Sequence, residues 1–123
     1  MNTAIDVSLF PKGRTILQIY FDTDPELKET LSAIVKDELM EIVNAGPREI
    51  DFTKTRENML KRYDEAIQEN SYWLNVIDMF HFRGYDRYSG YKARLESITP
   101  SHIQTFAKTL IDQGNHVEVI MEP

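Results

Sequence analysis

Histidines, paired acids and a run of aromatic residues are the side chains of this sequence whose types are suited to chemistry. His81, His102 and His116 are the first candidates for metal, because neutral imidazole is a common zinc ligand. They lie far apart, none has a second histidine at the close helical spacing that puts two ligands on one face, and neither H-E-x-x-H nor H-x-x-E-H occurs. The acid pairs Asp37/Glu38 and Asp64/Glu65 carry groups fit for proton transfer, but adjacent residues of a helix point in different directions, so both read as solvated faces. There is no G-x-S-x-G and no phosphate-cradling glycine loop. The reading is therefore no catalytic residue and no metal ligand in this chain. The aromatic set Tyr72, Trp73, Phe80, Phe82, Tyr85, Tyr88 and Tyr91 suits either a core or a peptide- or sugar-binding surface. Helical spacing favours core for Trp73 and Phe80, whereas Tyr85, Tyr88 and Tyr91 lie in or beside a loop and divide evenly between the two.

The elements that would position these groups follow from periodicity. Ile5, Val7 and Leu9 alternate with Asp6 and Ser8, and Leu17, Ile19 and Phe21 alternate with Gln18 and Tyr20. Phe10-Pro11-Lys12-Gly13 between them reads as a turn, which predicts an antiparallel pair of strands. Asp24-Pro25-Glu26 then starts a helix whose apolar stripe is Leu27, Leu31, Ile34, Val35, Leu39 and Ile42, and Asn44-Ala45-Gly46-Pro47 stops it. A second helix spans about 49 to 69. A third, from about 72 to 82, is apolar on most of its circumference, which predicts a central, buried helix. A short helix over 91 to 98 precedes a cleanly amphipathic one after Thr99-Pro100, with Ile103, Phe106, Ala107, Leu110 and Ile111 on one side. His102 stands three residues after Thr99, where an acid would better suit a capping box and the helix dipole. Val117, Val119 and Met121 alternate with Glu118 and predict a last strand over 116 to 121.

The order β-β-α-α-α-α-β predicts one α+β domain over residues 1–123, an antiparallel sheet packed on a helical layer, with Trp73, Ile77, Phe80, Phe106 and Leu110 as its structural core. A chain of 123 residues buries roughly two-thirds of its unfolded surface, enough for one core. Fourteen Lys and Arg against 20 Asp and Glu give a net charge of -6, which argues against nucleic acid as a partner. No apolar run reaches the ~20 residues of a membrane span, and Met1-Asn2-Thr3-Ala4 is not the start of a signal segment. No cysteine is present, which removes disulfides and thiolate zinc sites. Three strands leave at least one sheet edge bare, so either a partner covers it or the chain belongs to something larger.

In order and spacing these pieces resemble the last part of the final domain of the pitrilysin/insulysin family of zinc metallopeptidases, especially its bacterial members. The carriers are Leu17-Gln18-Ile19-Tyr20-Phe21-Asp22-Thr23-Asp24-Pro25, the break Asn44-Ala45-Gly46-Pro47, Glu69-Asn70-Ser71-Tyr72-Trp73-Leu74, Ile98-Thr99-Pro100, and the ending Val117-Glu118-Val119-Ile120-Met121-Glu122-Pro123. The resemblance implies a metal-free segment of the half that closes over a peptide substrate. The zinc, on an inverted H-x-x-E-H motif, would lie in the N-terminal half of a parent chain. The substrate-contacting arginine and tyrosine of such proteins would lie upstream of the first strand, and Met1 to Asp6 contains neither, so no site residue carries over. His102 departs from the acid common at that point of the family pattern and reads as a surface cap. The partners implied are the rest of the parent chain and, in the full enzyme, a peptide; the location implied is extracytoplasmic or periplasmic. An alternative reading is a free-standing interaction domain that holds a partner, or a second copy of itself, through its open sheet edge. A third is a small metalloenzyme in which His81, His102 and His116 converge.

Overall fold

The computed structural model describes residues 2–8 and 11–121, and so Leu9 and Phe10 of the expected first strand and turn, and Glu122-Pro123 of the expected ending, lie outside the described residues. The architecture is α+β: two antiparallel strands and five α-helices. The chain forms two compact units, Met1–Lys36 with Val119–Pro123, and Asp37–Glu118.

In the first unit, β1 (Asn2–Ser8) pairs with β2 (Arg14–Tyr20), with Ile5 opposite Leu17, Val7 opposite Thr15 and Thr3 opposite Ile19. Because successive residues of a strand alternate in direction, this register gathers the apolar alternation of both strands on one face, as the sequence predicts. That face is more covered on β2 than on β1, where Ile5 and Val7 are exposed. Pro25 opens a 3-10 turn, Pro25–Leu27, before α1 (Lys28–Ala45) begins. Of the stripe read from the 3.6-residue period, Leu31, Val35, Leu39 and Ile42 of α1 are half-buried, whereas Ile34, and Leu27 in the turn before the helix, are exposed.

The alternating segment over 116 to 121 departs from expectation. Among the described residues it carries no β-ladder, so the sheet has two strands and not three. Alternation makes a segment able to pair, but a strand exists only where a neighbour's N–H and C=O groups meet its own.

The second unit is helical: α2 (Glu49–Ala66), α3 (Asn70–Arg83), α4 (Tyr91–Ser97) and α5 (Pro100–Asp112) follow the end of α1. Gly46 ends α1 at φ +81°, with its N–H donating to the Ile42 carbonyl at 2.9 Å. Gln104 of α5 also serves that end, its Nε2 donating to the carbonyls of Val43 and Asn44 at 3.0 Å each. Two carbonyls that the helix itself leaves without donors are thereby satisfied from another element. Gly84 ends α3 at φ +63°, donating to the Phe80 carbonyl at 3.0 Å.

Among the described residues the buried side chain is Leu95 of α4, 6% exposed. The residues expected as core are placed otherwise: Trp73 is 37% exposed, Phe106 48%, Ile77 53% and Phe80 55%, and Leu110 is half-buried. The same holds for α3 as a whole, expected to be central, where Leu74 and Phe82 are exposed as well. An apolar circumference states that a helix gains from being covered; it does not supply the elements that cover it.

Candidate functional site

The densest side-chain organisation lies where α2, α3, α4 and the 84–90 loop converge, all within the helical unit. The Tyr63 ring of α2 stacks on Tyr91 of α4 at 4.6 Å between centroids and 14° between planes. Tyr72 of α3 meets Tyr63 edge-on at 6.1 Å, and Trp73 meets Tyr72 at 5.5 Å and Tyr88 of the loop at 5.0 Å. Edge-to-face and offset stacks are the arrangements that ring quadrupoles favour. Burial, and then the neighbouring Tyr63 with its side-chain hydrogen bond, pushes the Tyr72 phenol above its usual range, so it is neutral at physiological pH. Trp73 closes the α2–α3 junction by donating its Nε1–H to the Ile67 carbonyl at 2.8 Å. Lys92 of α4 forms an ion pair with Asp64 of α2 at 2.6 Å beside the stack.

The loop after Gly84 is held by its own polar groups. Asp86 Oδ1 accepts from the backbone N–H of Tyr88 and of Ser89, each at 2.9 Å, an Asx turn that the sequence Asp86-Arg87-Tyr88-Ser89 permits. The Ser89 hydroxyl is the largest of the interactions that hold the Asp86 carboxyl below its usual value, ahead of the Ser89 backbone N–H. From α4, the Arg94 guanidinium donates to the Ser89 carbonyl and, at 3.5 Å, to that of Arg87. Arg87 in turn donates from Nη1 to Asn75 Oδ1 of α3 at 2.8 Å, which ties the loop to the helix beside it.

These contacts frame a cleft of about 560 Å³. Tyr63, Tyr72 and Tyr91 give it an aromatic wall, and Met59, Ala66 and Val76 an aliphatic one. Arg62, Arg87 and Glu69 supply charge at its lining. That volume is in the range of small-ligand sites, roughly 300–1,000 Å³. What the lining offers a ligand is ring faces, phenol and Ser71 hydroxyls, guanidinium donors and the Glu69 carboxylate.

Of the loop-region tyrosines left divided by the sequence, Tyr91 lines the cleft and Tyr88 packs on Trp73, while Tyr85 is exposed. Arg62 and Asn75 were not legible as site residues, because a lone arginine or asparagine on a charged helix face carries no signal until another element packs beside it. The three histidines are not brought together: His81 lies on α3, His102 on α5 and His116 beyond α5, and among the described residues no group of three His, Asp or Glu is placed to hold a metal. His102 has a structural task, its Nδ1 accepting from the Thr99 N–H at 3.2 Å while its own N–H donates to Thr99 Oγ1 at 3.4 Å, which completes the capping box in place of the acid expected there.

The chain is 29% identical over 69 residues to a zinc protease PQQL-like protein of Arabidopsis thaliana. That stretch covers 56% of this chain and 7% of the plant protein, so the chain corresponds to a small fraction of the relative's length. No family model matches the chain, and no solved structure matches it either. The similarity agrees with the resemblance at the level of a zinc protease and no finer.

Proposed function

We propose that this chain is a peptidase-related, non-catalytic segment of a larger zinc metallopeptidase, where it helps to form the closing half of a peptide-binding chamber. The observation that carries the reading is the similarity to the zinc protease PQQL-like protein. It is supported by the sequence, in which H-x-x-E-H does not occur. In the parent, hydrolysis would be the work of a zinc-activated water with a glutamate as base, on groups outside this chain. The apolar faces that α3 and β1 leave exposed are of the kind that the remainder of such a parent would cover. Incubating the chain with zinc and a library of unstructured peptides tests the reading: no metal-dependent cleavage is expected, and zinc-dependent turnover would overturn it.

One observation favours a second reading, that of an interaction domain. The two-stranded sheet leaves the outer edge of each strand without a ladder partner among the described residues, and such edges recruit further strands.

A further inference from the structure

We infer that the tyrosine-lined cleft is a binding subsite for an acidic peptide segment, one that sets an aromatic or aliphatic side chain on the Tyr63/Tyr72/Tyr91 wall and a neighbouring carboxylate against Arg62 and Arg87. The inference deepens the peptide-contacting reading above and rests on it for the choice of a peptide; the preference for negative charge rests on the cleft alone.

Three features of the cleft carry it. Its lining is mixed: aromatic and aliphatic over most of its wall, with two guanidinium groups, which suits a ligand that is itself part apolar and part anionic. The two arginines are available in different degrees. Arg62 forms no ion pair or hydrogen bond with a described residue, while Arg87 uses Nη1 on a neutral acceptor, Asn75, and keeps its full charge. A planar guanidinium with donors to spare is the group best matched to a carboxylate. Finally, wall and loop are tied by contacts of their own: the stacked Tyr63–Tyr91 pair, the Asp86 turn and the donation from Arg94 to the Ser89 carbonyl.

The charges also exclude a polyanion. Glu69 lines the same cleft, Asp64 stands beside the stack, and the chain carries a net charge of -6. A nucleic-acid strand would bring repeated phosphates against all of these acids, whereas a single carboxylate meets a lining with two arginines and one acid, Glu69.

The test uses the 123-residue chain and three blocked tetrapeptides that differ at one position, a glutamate, a glutamine or a lysine next to a phenylalanine. Binding is read from the ring resonances of Tyr63, Tyr72 and Tyr91. The glutamate peptide is expected to bind about tenfold more tightly than the lysine peptide and to move those resonances, which is the weight of one hydrogen bond to a charged group. Arg62→Ala, which breaks no hydrogen bond or ion pair with a described residue, is expected to remove most of that preference. Lys61→Ala, one residue away and outside the cleft, is expected to leave it. Equal binding of all three peptides would overturn the acidic preference while leaving a peptide-contacting segment standing. No binding by any of them would overturn both. Perturbation confined to residues outside the cleft would overturn the location.

Discussion

Asp86 and His102 do similar work at opposite ends of one stretch of chain, each holding backbone N–H groups that a loop or a helix start leaves over. For Asp86 the consequence is a dependence on pH with a definite sign. Its carboxyl is held below the usual 3.8 by Ser89, so the ionised form is favoured in the folded loop. The contribution is fully present above the ordinary carboxylate range and is lost as pH falls through the lowered value. Protection of the Ser89 amide against hydrogen exchange, relative to an unstructured chain at the same pH, is therefore expected to persist through the ordinary carboxylate range and to fall only below it, and Asp86→Ala is expected to lower it above that range. For His102 the capping box needs an acceptor at the third helical position, which Nδ1 supplies without the negative charge that the helix start favours. His102→Glu keeps the acceptor and adds that charge. It is expected to raise stability by about 0.3–1 kcal/mol in urea unfolding, and to lose most of the gain at high salt.

Among the helices the contact that spans the greatest separation in sequence is that of Gln104 with the end of α1. Glycine at 46 turns the chain, and one side-chain amide from α5 then satisfies the carbonyls of Val43 and Asn44. The contact is part-buried, so water substitutes only in part when it is removed. Gln104→Leu, close in volume and without the donor, is expected to cost about 1 kcal/mol. Amide exchange should report the loss as fraying of the last turn of α1, with little change in α2 or α4. A uniform loss over all the helices would mean instead that Gln104 acts through general packing. The α2–α4 pairing through Tyr63, Tyr91, Asp64 and Lys92 works by a different route, ring stacking next to an ion pair.

Over the whole molecule the prominent feature is apolar surface without cover. Ile5 and Val7 on β1, Leu74, Phe80 and Phe82 on α3 and Phe106 on α5 are exposed, and among the described residues the sheet has two strands and two open edges. A hairpin of this size is marginal by itself in water. Self-association is the expected result: sedimentation of the chain should show a mass that rises with concentration, and Ile5→Lys, which sets a charge beside the β1 edge, should lower it. A monomer at all concentrations would count against the open edge as an interaction site.

The sequence by itself determined the local structure: where the period is two, where it is 3.6, and where proline and glycine interrupt it. The antiparallel pair of strands, the extent of α1, its stop at Gly46 and the amphipathic α5 follow from patterns over short stretches of chain, which act whatever the rest of the chain does. Only the tertiary structure decided which apolar faces are covered. Trp73 and Phe80 have the composition of a core and remain open, whereas Leu95, on a short helix of mostly polar residues, is buried because α4 lies against α2. The segment over 116 to 121 likewise alternates as a strand does and has no ladder. The cleft belongs to the same class of fact. Arg62, Asn75 and Arg87 are unremarkable along the chain and meet only through helix packing, since burial and pairing depend on what lies across a gap in space, and no residue encodes its distant neighbour.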